Sequence, residues 1–261
     1  ALGAQFALWK SAYDTTGSTG AIGLNATGQV APWLGGLAGS VNLATAITSY
    51  GNVNALTLNP QTATSVSYGG VIANGAVGMT LTKNGYGTQT LTGVNTYSGA
   101  TTINAGTLAL GGASGSILSS IVTVKGGTLL LDNSTGWANR LADANALSLG
   151  SLTLTSFNVA GAQSETVGAT TFATGGKVTI TNGATAGDQT TLALGAVTRS
   201  AGAAIDFVGV NGTLGGGANS PNVTSTGVWP GLENGILPWG NVGGTQWAEY
   251  YDTGAGNPAT R

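Results

Sequence analysis

The chain has 261 residues, of which only 6% are charged and 46 are glycine; it carries a formal net charge of −2 and no cysteine or histidine. Ordinary soluble domains hold about 25% charged residues and about 7% glycine, so this chain keeps itself soluble with hydroxyls and amides. Disulfides, thiolate or imidazole metal sites and histidine-dependent catalysis are excluded, as is nucleic acid as a partner, because the basic residues Lys10, Lys83, Lys125, Arg140, Lys177, Arg199 and Arg261 are scattered.

Apolar side chains at 41% and a mean hydropathy of +0.21 supply a core, so the chain is expected to fold and to be mostly β. Nowhere do eighteen apolar residues follow one another, which argues against a transmembrane helix. Ala1 is not preceded by methionine or followed by a basic then apolar leader, so a mature or excised piece is expected.

Residues 1–50 are the least repetitive and are expected to form an N-terminal cap or docking segment. Leu2, Phe6, Trp9 and Tyr13 fall at a spacing near 3.6, which suits a short helix or an irregular cap. A solenoid needs such a cap over its first open edge; docking onto another subunit is the alternative. Trp33, after Pro32, is expected to be a core or cap aromatic, with ligand stacking the alternative.

Rungs are predicted over residues 51–210, beginning with Val53–Leu58, Ser65–Tyr68 and Met79–Thr82. From Lys83 to Leu131 the chain repeats itself. Gly87-Thr88-Gln89-Thr90-Leu91, Gly106-Thr107-Leu108-Ala109-Leu110 and Gly127-Thr128-Leu129-Leu130-Leu131 are one unit, a glycine then a short alternating strand, offset by 19 and then 21 residues. Such a strand buries nothing by itself and is stable only when the next turn lays an equivalent strand beside it. A period near twenty is the mark of a solenoid. Apolar residues at alternate positions point inward and threonines outward, which predicts an all-β fold, a right-handed parallel β-helix.

At Thr90-Leu91-Thr92-Gly93, Asn95-Thr96-Tyr97-Ser98-Gly99 and Thr101-Thr102-Ile103-Asn104-Ala105-Gly106-Thr107-Leu108 the sequence resembles the autotransporter-associated β-strand repeat, also called the passenger-associated transport repeat. The likeness extends from Lys83 to Gly111. It implies a β-helical scaffold and an extracellular or cell-surface location. It names no activity, since passengers of that family include adhesins, proteases, toxins and stalks.

After the repeat, Trp137–Asp143 is expected to be one helical turn leaving the solenoid. Strands are predicted at Ala146–Leu154, Thr166–Phe172, Lys177–Thr181, Gln189–Leu194 and Ala204–Val208. About twenty residues per turn gives roughly a dozen rungs, or on the order of 50–60 Å of one continuous domain. Residues 211–261 change character and form an aromatic-rich closing segment. From Ser200 to Tyr250 they are similar to the ends of tandem modules in giant secreted bacterial proteins that carry the same repeat. That resemblance implies that the end of this chain leads into a beginning like its own.

For chemistry without histidine, paired carboxylates remain. Asp188 and Asp206, with Arg199 between them in sequence, would sit on neighbouring rungs and are read as a solvated face or ion pair. Asp132-Asn133 is read as a turn, not a calcium site, and the glycine clusters as turns, not phosphate loops. Asn25, Asn133, Asn211 and Asn222 each begin a glycosylation-type triplet. For Trp229, Trp239, Trp247, Tyr250 and Tyr251 three roles are ranked: a plug over the last rung, an interface anchor, a sugar-stacking platform.

These readings converge on a structural module of an extracellular filament or surface layer, not an enzyme and without a cofactor or metal. Its partner is another copy of itself, head to tail. Leu2, Phe6, Trp9 and Tyr13 are the candidate contacts at one end, and Trp229, Trp239, Trp247, Tyr250 and Tyr251 those at the other. An adhesin passenger that binds glycans or a host surface is the alternative; a polysaccharide-acting enzyme ranks last.

Overall fold

The computed structural model describes residues 7–8, 13–16, 22–23, 30–135, 139–150, 152–155, 161–183, 187–215, 220–231, 233, 236–244 and 246–249. Short strands stack in parallel into a β-solenoid. One nine-stranded sheet begins at Ala7–Leu8 and runs through Trp33–Leu34, Ala55–Leu58, Thr80–Lys83, Thr101–Ile103, Ile121–Val124, Ala146–Leu149 and Thr170–Phe172 to Val197–Arg199. A second nine-stranded sheet starts at Ser65–Tyr68 and passes through Thr88–Leu91, Thr107–Leu110 and Thr128–Asp132 to Ile236–Val242 and Gln246–Glu249. Between them lies a third, interrupted face, made of Val94–Asn95 with Ser116–Ile117 and of Ala162–Thr166, Gln189–Leu194 and Asn222–Ser225.

Alternation builds the core. In the first sheet Leu56, Leu81, Thr101, Val122, Leu147, Thr170 and Val197 stand in register from turn to turn, and all are buried. In the second, Tyr68, Leu91, Leu110 and Leu131 do the same. Each buried leucine contributes about 1.5–3 kcal/mol, so the stack, not any single turn, holds the fold together.

The predicted period appears directly as strand register: Thr88 pairs with Thr107 and Thr107 with Thr128, the same steps of 19 and 21 residues. Outside the repeat the turns lengthen, with Leu152 on Val178, Val178 on Phe207 and Ile205 on Gly240. The longer turns explain why the first sheet has nine strands, spanning roughly 40 Å, and not a dozen.

Three local expectations are corrected. In the stretch read as a helix or irregular cap, the described residues are parallel strands: Ala7–Leu8 lies on Trp33–Leu34, and Tyr13–Asp14 on Leu37–Ala38, and the described helical turn of the N-terminal segment is at Leu43–Ala46. The stacking therefore reaches back before residue 51, and Trp33 faces outward at 43% exposure instead of entering the core. Asn139–Asp143 is not helical, and Arg140 turns inward there; 136–138 lie outside the described residues. Predicted strand Ala146–Leu154 divides at Gly150 into Ala146–Leu149 and Leu152–Thr155. Thr166–Phe172 likewise belongs to two faces, parted at Gly168, where an added Cβ would meet the carbonyls of Ala144 and Asn145.

Candidate functional site: the repeat and the closing end

The repeat's motif letters are the polar groups it buries. Gln89 takes the place that Leu108 and Leu129 occupy on the next turns. Its carboxamide faces the backbone of Leu37, accepting from the Leu37 N–H at 2.8 Å and donating to the Leu37 carbonyl at 2.8 Å. Asn95 accepts from the Ile72 N–H at 3.0 Å and donates to the carbonyls of Gly93 and Ser116. The Tyr97 hydroxyl lies 2.8 Å from that of Thr101, which donates to Ser119, and Ser119 caps the Gly99 carbonyl. Lys83 is in register with Ile103, fully buried, and donates to the carbonyls of Asn84, Gly85 and Ala105 at 2.7–3.1 Å. Burial pulls its ammonium down to about 8. The glycines are equally constrained: a Cβ on Gly99 would meet the carbonyls of Gly78 and Met79 on the turn beneath.

Residues 81–110 match the Passenger-associated-transport-repeat family. The chain carries a passenger-associated transport repeat. The matched residues run from the strand Thr80–Lys83 through Asn95 and Thr101 to the end of Thr107–Leu110, so the repeat is somewhat more than one turn of the solenoid. The family is associated with autotransporter passenger domains, which is consistent with a surface or secreted repeat protein. No curated protein and no solved structure matches the chain. Among the described residues no helix is long and apolar enough to cross a membrane.

A second buried polar group follows the repeat. Arg140 is fully buried. Its guanidinium donates to Asn133 Oδ1 and to the carbonyls of Gly111, Gly112, Gly115 and Asp132. The main-chain N–H groups of Arg140 and Leu141 donate to the Glu165 carboxylate at 2.7–3.0 Å. Burial pushes the Glu165 carboxyl up to about 7, against those N–H groups, Asn133 and the Arg140 charge, which hold it down. Perturbed groups of this kind attract a catalytic reading. Here the polar atoms named are engaged by main-chain groups or by Asn133, and the arrangement closes a turn.

At the far end, Trp229 is 4% exposed and stacks on Phe172, with ring centroids 6.2 Å apart and planes 13° from parallel. Phe207 meets both rings edge-on at about the same separation. Trp229 is therefore packed on the last turns within this chain. Tyr13, expected at the opposite interface, is likewise a core residue. Trp239 and Trp247 lie on Ile236–Val242 and Gln246–Glu249, the antiparallel pair that ends the second sheet. Leu2, Phe6, Trp9, Tyr250 and Tyr251 lie outside the described residues.

The carboxylates considered for chemistry are not brought together. Asp206 is in the second sheet and accepts from the Gly244 N–H, while Asp188 precedes a third-face strand and accepts from the Gly161 N–H; Arg199 is in the first sheet. Asp132-Asn133 closes the strand Thr128–Asp132 and leads into a turn at Ser134–Thr135, with Asp132 Oδ1 accepting from the Ser134 N–H at 3.0 Å. Asn133 is 2% exposed and held by Arg140, so its triplet is no acceptor for a glycan. What sequence reasoning missed was the inward polar set. Gln89 in a leucine column and Lys83 ahead of Ile103 were its visible signals.

Proposed function

We propose that the chain is a structural module of an extracellular filament or surface layer that associates end to end. The observation that carries this reading is that the first sheet runs from one end of the described solenoid to the other. Its terminal strands there are Ala7–Leu8 and Val197–Arg199. A parallel sheet extends across such an end by one more strand, and a second solenoid supplies it. Because the two ends differ, the contact is heterologous and gives an open polymer unless it closes into a ring. The contact is the same whether successive copies are covalently tandem or separate chains. The N-terminal segment of one copy, with Leu2, Phe6 and Trp9, meets the Trp239, Trp247, Tyr250 and Tyr251 segment of the next. Catalysis forms no part of this role.

Electron microscopy of the chain at physiological salt tests it. Filaments with an axial repeat near one solenoid length are expected, and deletion of residues 1–13 abolishes them while the β circular-dichroism signal remains. Because that deletion removes the first strand and part of the second, Leu8→Pro, which withdraws a main-chain donor from the first strand and fixes φ there, is the companion variant. Dispersed rods from the native chain, or intact filaments from both variants, would overturn the reading.

A further inference from the structure

The outer face of the first sheet carries a pattern that neither the core nor the ends explain. Thr57, Thr82, Thr102, Thr123, Ser148, Thr171 and Thr198 stand in one register column, each bonded through its strand to the next. Seven successive turns thus present a hydroxyl at the same place, one every 4.7–4.9 Å or so. Thr57 is buried, Thr82 to Thr171 are half-buried and Thr198 is exposed, the hydroxyls of Thr171 and Thr198 lying 2.7 Å apart in a hydrogen bond. At the head of the column, in register with Thr57, is the exposed indole of Trp33. A neighbouring column contains Ala55 beside Thr80 and Ile121 beside Ala146, and on the other flank Asn104 donates to Asn84 at 2.8 Å. Lys125 stands at the margin, two residues past Thr123; the column itself contains no ionisable group.

Strand propensity favours threonine at any outward position. It does not explain a run of seven, because the second sheet under the same preference keeps hydroxyls in register only over Ser65, Thr88, Thr107 and Thr128 and elsewhere mixes its outward columns. There Ser67 and Thr90 are followed by Ala109 and Leu130, and Lys177 lies opposite Asp206.

We propose that this face binds an uncharged polysaccharide laid along the solenoid axis. The chemistry is complementary in three respects. An aromatic ring offers an apolar plane to the C–H face of a sugar, and hydroxyls both donate to and accept from sugar hydroxyls. A neutral column leaves no charge to be stripped of water by a neutral ligand, whereas an anionic polymer would gain no counter-charge. The rung spacing is close to the length of one sugar unit, so successive turns meet successive units and weak contacts add along the rod.

The full chain is tested by retention on microcrystalline cellulose and chitin and by affinity electrophoresis in soluble neutral glucan and mannan. Native protein is expected to be retained by at least one of these. The double variant T82K/T102K, which sets two buried-edge charges in the column without touching the core, should lower the bound fraction about tenfold or more. Trp33→Ala should also weaken it, while T90K on the second sheet leaves it unchanged, with circular dichroism confirming the fold of each. Retention by none of the four, or equal retention of the double variant, would overturn the proposal. Selective enrichment in growing ice without polysaccharide retention would overturn it in favour of an ordered-water surface. Filament formation is scored separately, because Thr82 and Thr102 lie away from both ends.

Discussion

Replacing Arg140 with methionine tests the claim that a buried cation closes the turn between residues 132 and 141. The methionine fills a similar volume and removes five donated hydrogen bonds. Not all acceptors are left bare. The Gly111 carbonyl still accepts from the Gly115 N–H, and the Gly112 carbonyl from the Thr135 hydroxyl. The carbonyls of Gly115 and Asp132 and Asn133 Oδ1 lose their guanidinium partner, at about 1–3 kcal/mol for each group left unsatisfied. Relief of the guanidinium's own desolvation offsets part of this. The balance is a loss of about 3–5 kcal/mol. Urea unfolding followed by tryptophan fluorescence reads it as a lower midpoint, and hydrogen exchange places the loosening at the amides of 133–135 and 139–141. Arg140→Lys should recover part of the loss, since an ammonium can meet three of the acceptors. A midpoint for Arg140→Met within the equivalent of about 0.5 kcal/mol of the native value, the scale of an ordinary surface change, would refute the reasoning.

Glu165 makes stability depend on pH. Its carboxyl lies at about 7 in the folded state against 4.5 ordinarily, so between those values the folded chain holds the extra proton. Stability from this group is fully present below pH 4.5 and falls as pH rises through about 7, by about 3 kcal/mol in all. Glu165→Gln should flatten that slope in unfolding midpoints measured from pH 4.5 to 7.5; an unchanged slope would place the titration elsewhere. Gly99→Ala should lower stability by more than about 2 kcal/mol or leave the chain insoluble, because backbone carbonyls must move to admit the methyl; a soluble variant with native midpoint would refute the close approach. Trp229→Ala opens a cavity beside Phe172 and Phe207 and should cost about 3–5 kcal/mol in thermal or chemical unfolding, whereas a surface anchor would cost almost nothing.

Much of the architecture was legible because it is written in a period. The glycine-led units at 87, 106 and 127 gave the register of three consecutive strands before any coordinates. Alternation gave the inward leucines, and Ser65–Tyr68 and Gln189–Leu194 were placed with both ends correct. Where turns lengthen, the period dissolves, so Val197–Arg199, Asn222–Ser225 and the closing antiparallel pair were not anticipated as strands. Two-residue strands such as Val94–Asn95 offer too few positions for alternation to speak. The spacing of Leu2, Phe6, Trp9 and Tyr13 is equally weak evidence, since three intervals fit a helix as well as an irregular cap. The closing aromatics were legible as a group but not as separate roles, since composition cannot tell that Trp229 turns onto Phe172.

The buried polar groups share one logic, which ties the rarity of charge to the shape of the fold. A solenoid turn is held by main-chain bonds to its neighbours, and wherever a turn departs from strand geometry some N–H and carbonyl groups lose their ladder partners. At Leu37 the missing partner is replaced by the Gln89 carboxamide, at Ile72 by that of Asn95, and at Arg140 and Leu141 by the Glu165 carboxylate. Leu141 keeps only a single bridge to Ile117, so the Glu165 oxygens stand where the next strand's carbonyls would be. Orphaned carbonyls receive the converse treatment from Lys83 and Arg140, which are among the largest fully buried side chains. Among the described residues, the cations Lys83 and Arg140 are therefore inside, repairing corners, while seven successive outward positions of the first sheet carry hydroxyls. A polar or charged residue at an inward position of such a repeat marks a corner where the preceding or following turn leaves the ladder.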